Sequence, residues 1–209
     1  MNTESFFRLI TFLMLTAAFS ISSYFRRKAD REGGQMRSTE GRGLLVVLRL
    51  LGLLVLLPLF GYLINPDWVA WARFTLPEWS RWLAVLVAVA CVPLIYWVLS
   101  SIGNNISPVQ TTRITHKLVT HGPYRWVRHP LYSVGFVFAV CLTLITTLWW
   151  TGVGMILPLS LLFLRTSKEE ARLIETFGDD YRDYMKRTGR FFPKLKLYSQ
   201  AKQIGNSKH

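Results

Sequence analysis

The stretch HGPYRWVRHPLY, residues 121–132, sets two histidines, two arginines and two prolines against an uncharged run that continues to Leu164. Pro130 suits the first turn of a helix, because its missing N–H would have no partner there. His129 then falls near the N-cap. The helix begins with unpaired N–H groups and the positive end of its dipole, where a carboxylate or phosphate is stabilised. Arg125, Arg128 and His129 add to that polarity, and Tyr124, Trp126 and Tyr132 offer flat surfaces and hydroxyl groups. These residue types suit an anionic ligand with an aromatic part. They equally suit a plainer role, in which Arg128 and Trp126 anchor a helix end in the headgroup layer and His129 caps it. His116, His121 and His129 fit no metal-ligand spacing and have no Cys or carboxylate among them, so no metal is expected.

A second constellation is Arg165, Glu169 and Glu170. Arg165 and Glu169 are four residues apart and share a helix face. An interfacial ion pair accounts for them. So does a functional site, because Arg165 directly follows LSLLFL, and ionisable groups at the hydrocarbon edge are functional candidates by default.

The elements that must position these residues are apolar. The chain has 209 residues, 51% hydrophobic and 14% aromatic, and its mean hydropathy is +0.26, which indicates a membrane protein. Four windows read as embedded in hydrocarbon: Phe6 to Tyr24, Leu44 to Ile64, Leu83 to Ile102, and Leu131 to Leu164. A span needs roughly 20 apolar residues, so the first three take one helix each. The fourth would make a rod of roughly 50 Å as one helix. A hairpin of two short helices fits it better, with the turn expected at Trp149, Trp150, Thr151 and Gly152. The expected fold is therefore all-α and polytopic, with five transmembrane helices and a pocket built by a cytoplasmic connector and C-terminal helices.

Charge orients this arrangement. Arg26, Arg27, Lys28, Arg31, Arg37 and Arg42 follow the first span, Arg113, Lys117, Arg125 and Arg128 follow the third, and the tail from Arg165 to Lys196 is rich in Lys and Arg. The positive-inside rule makes all three segments cytoplasmic and the N-terminus external, with the site facing the cytoplasm. The net charge of +13 borders the membrane and is not ranged along a groove. It fits anionic headgroups, and there is no RNA- or DNA-binding signature. The first apolar stretch precedes its basic cluster and has no small-residue cleavage site, so it is expected to be a retained helix and not a signal peptide. Cys91 and Cys141 lie within apolar windows and read as buried hydrophobes.

Residues 26–43 read as a flexible loop, and GNN at 103–105 as the end of the third helix. Pro58, Pro93 and Pro158 fall inside spans, where neighbouring helices can satisfy the carbonyls they free. After Arg165 the pattern is amphipathic to Gly178, a C-cap, and DDYRDYMKR forms a further short helix. The expected divisions are residues 1–80 with the first two helices, 81–198 as the functional core, and a polar tail at 199–209.

HKLVTHGPYRWVRHPLY at 116–132, the Arg165/Glu169 pair, and FGDDYRDYMKRTGRFFPK at 177–194 together resemble the isoprenylcysteine carboxyl methyltransferase family. The resemblance runs over roughly residues 100–196. It implies an integral membrane methyltransferase that uses S-adenosylmethionine without a Rossmann-like fold. By similarity the cofactor would contact His116, Lys117, Leu118, Val119, Tyr124, His129, Pro130, Leu131, Tyr132 and Glu169, and Arg165 would face the methyl acceptor. Arg165 and Glu169 are the catalytic candidates. The chain departs from many relatives at Val134, where they carry glycine; here Gly135 follows one residue later.

The implied chemistry suits such a boundary. Methyl transfer from a sulfonium to a carboxylate needs in-line approach and no general base, so positioning supplies much of the rate. A water-poor pocket favours a reaction in which opposite charges cancel. Arg165 can hold an acceptor carboxylate by a forked hydrogen bond. The expected partners are membrane lipids and a lipidated or amphiphilic acceptor, a carboxylate, thiol or phospholipid. An NADPH-dependent reductase of sterol-like lipids and a non-enzymatic lipid-binding protein are the competing readings. The Arg165/Glu169 pair, the FGDDY tail and the short chain weigh against the reductase.

Overall fold

The computed structural model describes residues 2–32, 42–102 and 118–194. Among these residues six α-helices are formed: α1 (Thr3–Glu32), α2 (Arg42–Ile64), α3 (Glu78–Ile102), α4 (Pro130–Thr146), α5 (Trp149–Phe177) and α6 (Asp179–Arg187). Short 3-10 segments occupy Pro66–Ala72 and Gly122–Arg125. Among the described residues there is no strand, only two isolated bridges. α1, α3 and α5 are long and apolar enough to cross a membrane; α4 and the Gly52–Ile64 part of α2 are shorter apolar helices. Leu86, Val89, Phe136 and Ile156 turn outward from the bundle, as expected where lipid replaces water.

α3 packs chiefly on α4 and α1, and α5 on α2 and α4. Ala84, Ala88 and Cys91 lie along one buried stripe of α3, at a spacing that lets small residues bring helices close. Gly154 does the same for α5: a Cβ there would stand 2.7 Å from a methyl of Val55 on α2. Pro58 has no N–H to give to the carbonyl four residues before it, Leu54. The indole N–H of Trp150 on α5 donates to that carbonyl at 3.0 Å, so the neighbouring helix supplies the missing bond.

One end of the bundle is tied by charge. The Glu4 carboxylate accepts from Arg73 at 3.0 Å, Arg81 at 3.0 Å and the Tyr62 hydroxyl at 2.7 Å. Arg81 also donates to the Ile145 carbonyl at 2.9 Å, and its guanidinium lies over Phe7 at 3.8 Å. Arg8 donates to the carbonyls of Leu63 and Ile64, which end α2 and have no partner within it. The ends of α1, α2, α3 and α4 are thereby gathered at one face. The other face carries the ends of α1 and α3, where Phe25 meets Tyr96 edge-on at 5.3 Å.

Two expectations are corrected. Residues 26–32 are not loop: α1 continues through Arg26, Arg27, Lys28 and Arg31 to Glu32. Ala29 is buried there, and Arg, Lys, Ala and Glu are good helix formers once the chain has left the apolar layer. Residues 33–41 lie outside the described part, and Arg42 and Gly43 open α2. The hairpin turn falls at Thr147 and Leu148 and not at 149–152. Thr147 takes the left-handed conformation with φ of 55°, and its carbonyl accepts from the Phe74 N–H at 2.9 Å. Gly152 belongs to α5, where a Cβ would stand 3.1 Å from a Thr143 methyl of α4, so it serves close helix approach and not the turn.

α5 continues without a break past Arg165 to Phe177. Gly178 ends it with φ of +56°, its N–H returning to the Ile174 carbonyl at 2.8 Å. α6 then runs with Asp179 and Asp180 in its first turn and Lys186 and Arg187 in its last, which suits the helix dipole. Its buried face is Tyr181 and Tyr184, three residues apart and side by side.

Candidate functional site

Pro130 opens α4 and His129 occupies its N-cap position, with no side-chain capping bond. The imidazole is 7% exposed and turns instead to Glu170 on α5, with Nε2 3.4 Å from Oε1. It stacks on Tyr132 with an interplanar angle of 2° and centroids 5.5 Å apart. The Tyr132 hydroxyl in turn reaches Glu169 at 3.4 Å. The start of α4 and the middle of α5 are thus joined through two adjacent glutamates that point to different partners.

The segment after α6 closes the arrangement. Arg128 N–H donates to the Gly189 carbonyl at 2.9 Å, His129 N–H to the Arg190 carbonyl at 3.0 Å, and Gly189 N–H to the Trp126 carbonyl at 3.0 Å. The Ser133 hydroxyl donates to the Phe191 carbonyl at 2.6 Å. Gly189 is required for this approach, since a Cβ would run into the Phe192 carbonyl. The Tyr184 hydroxyl donates to the Tyr124 carbonyl at 2.6 Å, so α6 also holds the 3-10 segment.

Between these parts lies a cleft of about 140 Å³ lined by residues of α3, the connector, α5 and α6. Of the residues that the family resemblance assigns to the cofactor, Leu118, Val119, Tyr124, His129 and Glu169 line it. Tyr132 touches it through Glu169. Pro130 is buried at the start of α4, and Leu131 is exposed on its first turn; neither is among the lining residues. Arg165 lies one turn before Glu169 on α5, partly buried and likewise not in the lining. His116 and Lys117 fall outside the described residues.

The aromatic part of the lining is Tyr124, Phe177, Tyr181 and Tyr184. Burial raises the Tyr124 and Tyr181 phenols well above their ordinary value, and it pushes Tyr184 up to about 12 against a smaller opposing effect of Arg128. All three hydroxyls therefore remain protonated donors at neutral pH. Glu169 adds a carboxylate able to accept from hydroxyl or ammonium groups. Flat apolar walls with one carboxylate, beside the Arg128 guanidinium and the His129 ring, fit a ligand that carries an aromatic group and hydrogen-bond donors.

Glu170, grouped with Arg165 and Glu169 in the sequence, was given no role of its own there. Only 6% exposed, it pairs with Arg128 at 2.8 Å and Arg190 at 3.0 Å. Arg128 donates further to the Thr188 carbonyl at 2.6 Å, and Arg190 to the Ser167 hydroxyl at 3.0 Å. The signal available was the pair of adjacent glutamates, of which only Glu169 shares a face with Arg165. Trp126, expected as an anchor, is 41% exposed, lies edge-on to Trp97 at 5.9 Å and carries the Arg125 guanidinium over its ring at 3.7 Å. Among the described residues no group of three or more His, Cys, Asp or Glu side chains can hold a metal ion.

Comparison with known proteins bears on this geometry. The human protein-S-isoprenylcysteine O-methyltransferase is 33% identical over 140 residues, which cover 61% of this chain and 49% of that protein. The nickel-cobalt-cadmium resistance protein NccN of Alcaligenes xylosoxydans xylosoxydans is 35% identical over 86 residues, 41% of this chain and 40% of that one. The chain thus spans about half or less of the length of these curated relatives. The solved structure of the eukaryotic intramembrane Ras methyltransferase ICMT aligns with a TM-score of 0.51 at 19% identity, over 77% of this chain and 56% of that one, and shares its membrane-embedded helical fold. The family model of the isoprenylcysteine carboxyl methyltransferases matches residues 82–175. The match, from Trp82 to Glu175, takes in nearly all of α3, the whole of α4 and the cleft-lining Glu169 and Leu173 of α5, so this part of the chain is similar to the isoprenylcysteine carboxyl methyltransferase family.

Proposed function

We propose that this protein transfers a methyl group from S-adenosylmethionine to the carboxylate of an isoprenylcysteine-type acceptor at the cytoplasmic face of a membrane. The observation that carries the reading is the convergence of Leu118, Val119, Tyr124, His129 and Glu169 on one cleft at the end of the apolar bundle, within and beside the segment matched by the family model. In this reading α1 to α5 are five transmembrane helices, with the N-terminus outside and the cleft inside; the Lys/Arg-rich segments at the cleft end support that orientation. Residues 81–198 form the catalytic core in this reading.

The cofactor supplies an electrophilic methyl group; the chain supplies its placement. Tyr124, Leu118 and Val119 provide an apolar and aromatic wall, and Glu169, steadied by the Tyr132 hydroxyl, accepts from the ligand's polar hydrogens. Arg165, at the membrane side of Glu169 on the same helix face, orients the acceptor carboxylate. A tight grip would lower the nucleophilicity of that carboxylate, so Arg165 aligns it and does not activate it. A lipid tail entering among the exposed apolar side chains of α4 and α5 would keep the acceptor at the bilayer edge, where water-soluble cofactor can meet it.

The test is methyl transfer by the purified protein in lipid nanodiscs, with labelled S-adenosylmethionine and either farnesylcysteine or unlipidated cysteine derivatives. Transfer to the lipidated acceptor, at least tenfold faster than to the unlipidated one, is the expected result. Equal rates would remove the lipid requirement, and binding of S-adenosylmethionine without any transfer would remove the acceptor.

A further inference from the structure

Glu170 sits one residue from the cleft-lining Glu169 but does not itself line the cleft. Its buried carboxylate meets three basic groups from two other parts of the chain. Arg128 and His129 come from the segment that starts α4, and Arg190 from the segment that follows α6. Tyr181 of α6 also feels the Glu170 charge. Arg128 and His129 do line the cleft.

The arrangement has an electrostatic consequence. Two guanidinium groups and one carboxylate leave the trio Arg128, Glu170 and Arg190 with one positive charge. Without the carboxylate it would carry two, one of them on a wall of the cleft. Partly buried charges are weakly screened, so the second positive charge would be felt by a ligand in that cleft. A carboxylate facing His129 Nε2 also holds the ring proton there, which in the neutral ring leaves the remaining lone pair on Nδ1.

We propose that Glu170 is a positioning and charge-balancing residue of the cleft, compensating Arg128 and Arg190 so that the positive charge on the cleft wall discriminates less against a sulfonium cation relative to the neutral thioether left after methyl transfer. This inference rests on the reading of the cleft as an S-adenosylmethionine site. S-adenosylmethionine and S-adenosylhomocysteine differ by one methyl group and one positive charge, so their affinity ratio reports the local field. A residue that merely held the fold together would alter both affinities alike.

The test is calorimetric titration of both ligands into the detergent-purified wild type, E170Q, R190Q and E170Q/R190Q. E170Q should lower the preference for S-adenosylmethionine over S-adenosylhomocysteine by about three- to tenfold, a factor of ten corresponding to ~1.4 kcal/mol. The double variant, which returns the trio to one positive charge, should restore it. R190Q alone removes a positive charge and should raise the preference, so it decides the matter even where E170Q does not fold. Equal loss for both ligands in E170Q, or an unchanged ratio in R190Q, would overturn the proposal while leaving the cofactor reading intact. Failure of the wild type to bind either ligand would instead overturn the cofactor reading itself.

Discussion

Trp150 of α5 donates its indole N–H to the Leu54 carbonyl of α2 across 3.0 Å, the carbonyl that Pro58 leaves without its helical donor. The bond joins two helices at a point where neither could satisfy the group alone. Trp150→Phe should lower stability in micelles by about 1–2 kcal/mol, because an orphaned carbonyl has no water to turn to. In a Pro58→Ala background the backbone N–H returns and the cost of Trp150→Phe should fall. A double-mutant cycle of unfolding midpoints measures the coupling; simple additivity would show that the bond contributes nothing specific.

Tyr184 fixes α6 to the connector through the Tyr124 carbonyl at 2.6 Å. Tyr184→Phe should cost about 1 kcal/mol of stability and weaken binding of S-adenosylmethionine several-fold by loosening one wall of the cleft. Burial raises the folded-state phenol to about 12 from an ordinary 10.0. The group binds its proton more tightly folded than unfolded, so its contribution is complete below pH 10 and is lost as the pH rises from 10 towards 12. Alkaline titration followed by tyrosinate absorbance should therefore show the buried Tyr184 ionising only as the pH approaches 12, and Tyr184→Phe should flatten that part of the curve.

Glu169 offers the cleft a carboxylate steadied by Tyr132. Glu169→Ala should reduce affinity for S-adenosylmethionine about tenfold or more, the magnitude of a lost charge-assisted hydrogen bond. Calorimetry on the purified protein reads it directly. An unchanged affinity would place the ligand's polar groups elsewhere.

Arg165 lies one helical turn before Glu169 and outside the cleft lining. Arg165→Met should leave S-adenosylmethionine affinity within about twofold and lower kcat/KM for a lipidated carboxylate acceptor about a hundredfold, since a forked pair is both bond and alignment. Arg165→Lys should recover little, because an ammonium lacks the planar fork. If S-adenosylmethionine affinity fell and acceptor kinetics did not, Arg165 would belong to the cofactor.

Local chemistry made much of this molecule legible in the sequence. Apolar length marked α3 and the α4–α5 hairpin, Pro130 marked the start of α4, and Gly178 with its following Asp-Asp marked the passage from α5 to α6. Each of these depends on residues within a turn or two of one another. The same is true of the misplaced hairpin turn, where Gly152 and two tryptophans imitate a loop signal but pack a helix, and Thr147 turns the chain instead.

What only the tertiary structure decided are the pairings between segments far apart in the chain. Glu170 with Arg128 and Arg190, Glu4 with Arg73 and Arg81, and Trp150 with Leu54 join groups with no periodic relation to each other. A charge at a membrane boundary has many partners of the right sign within reach in sequence. Which one it meets is set by how closely small residues such as Ala88 and Gly154 let the helices approach, and that distance exists only once the helices are packed.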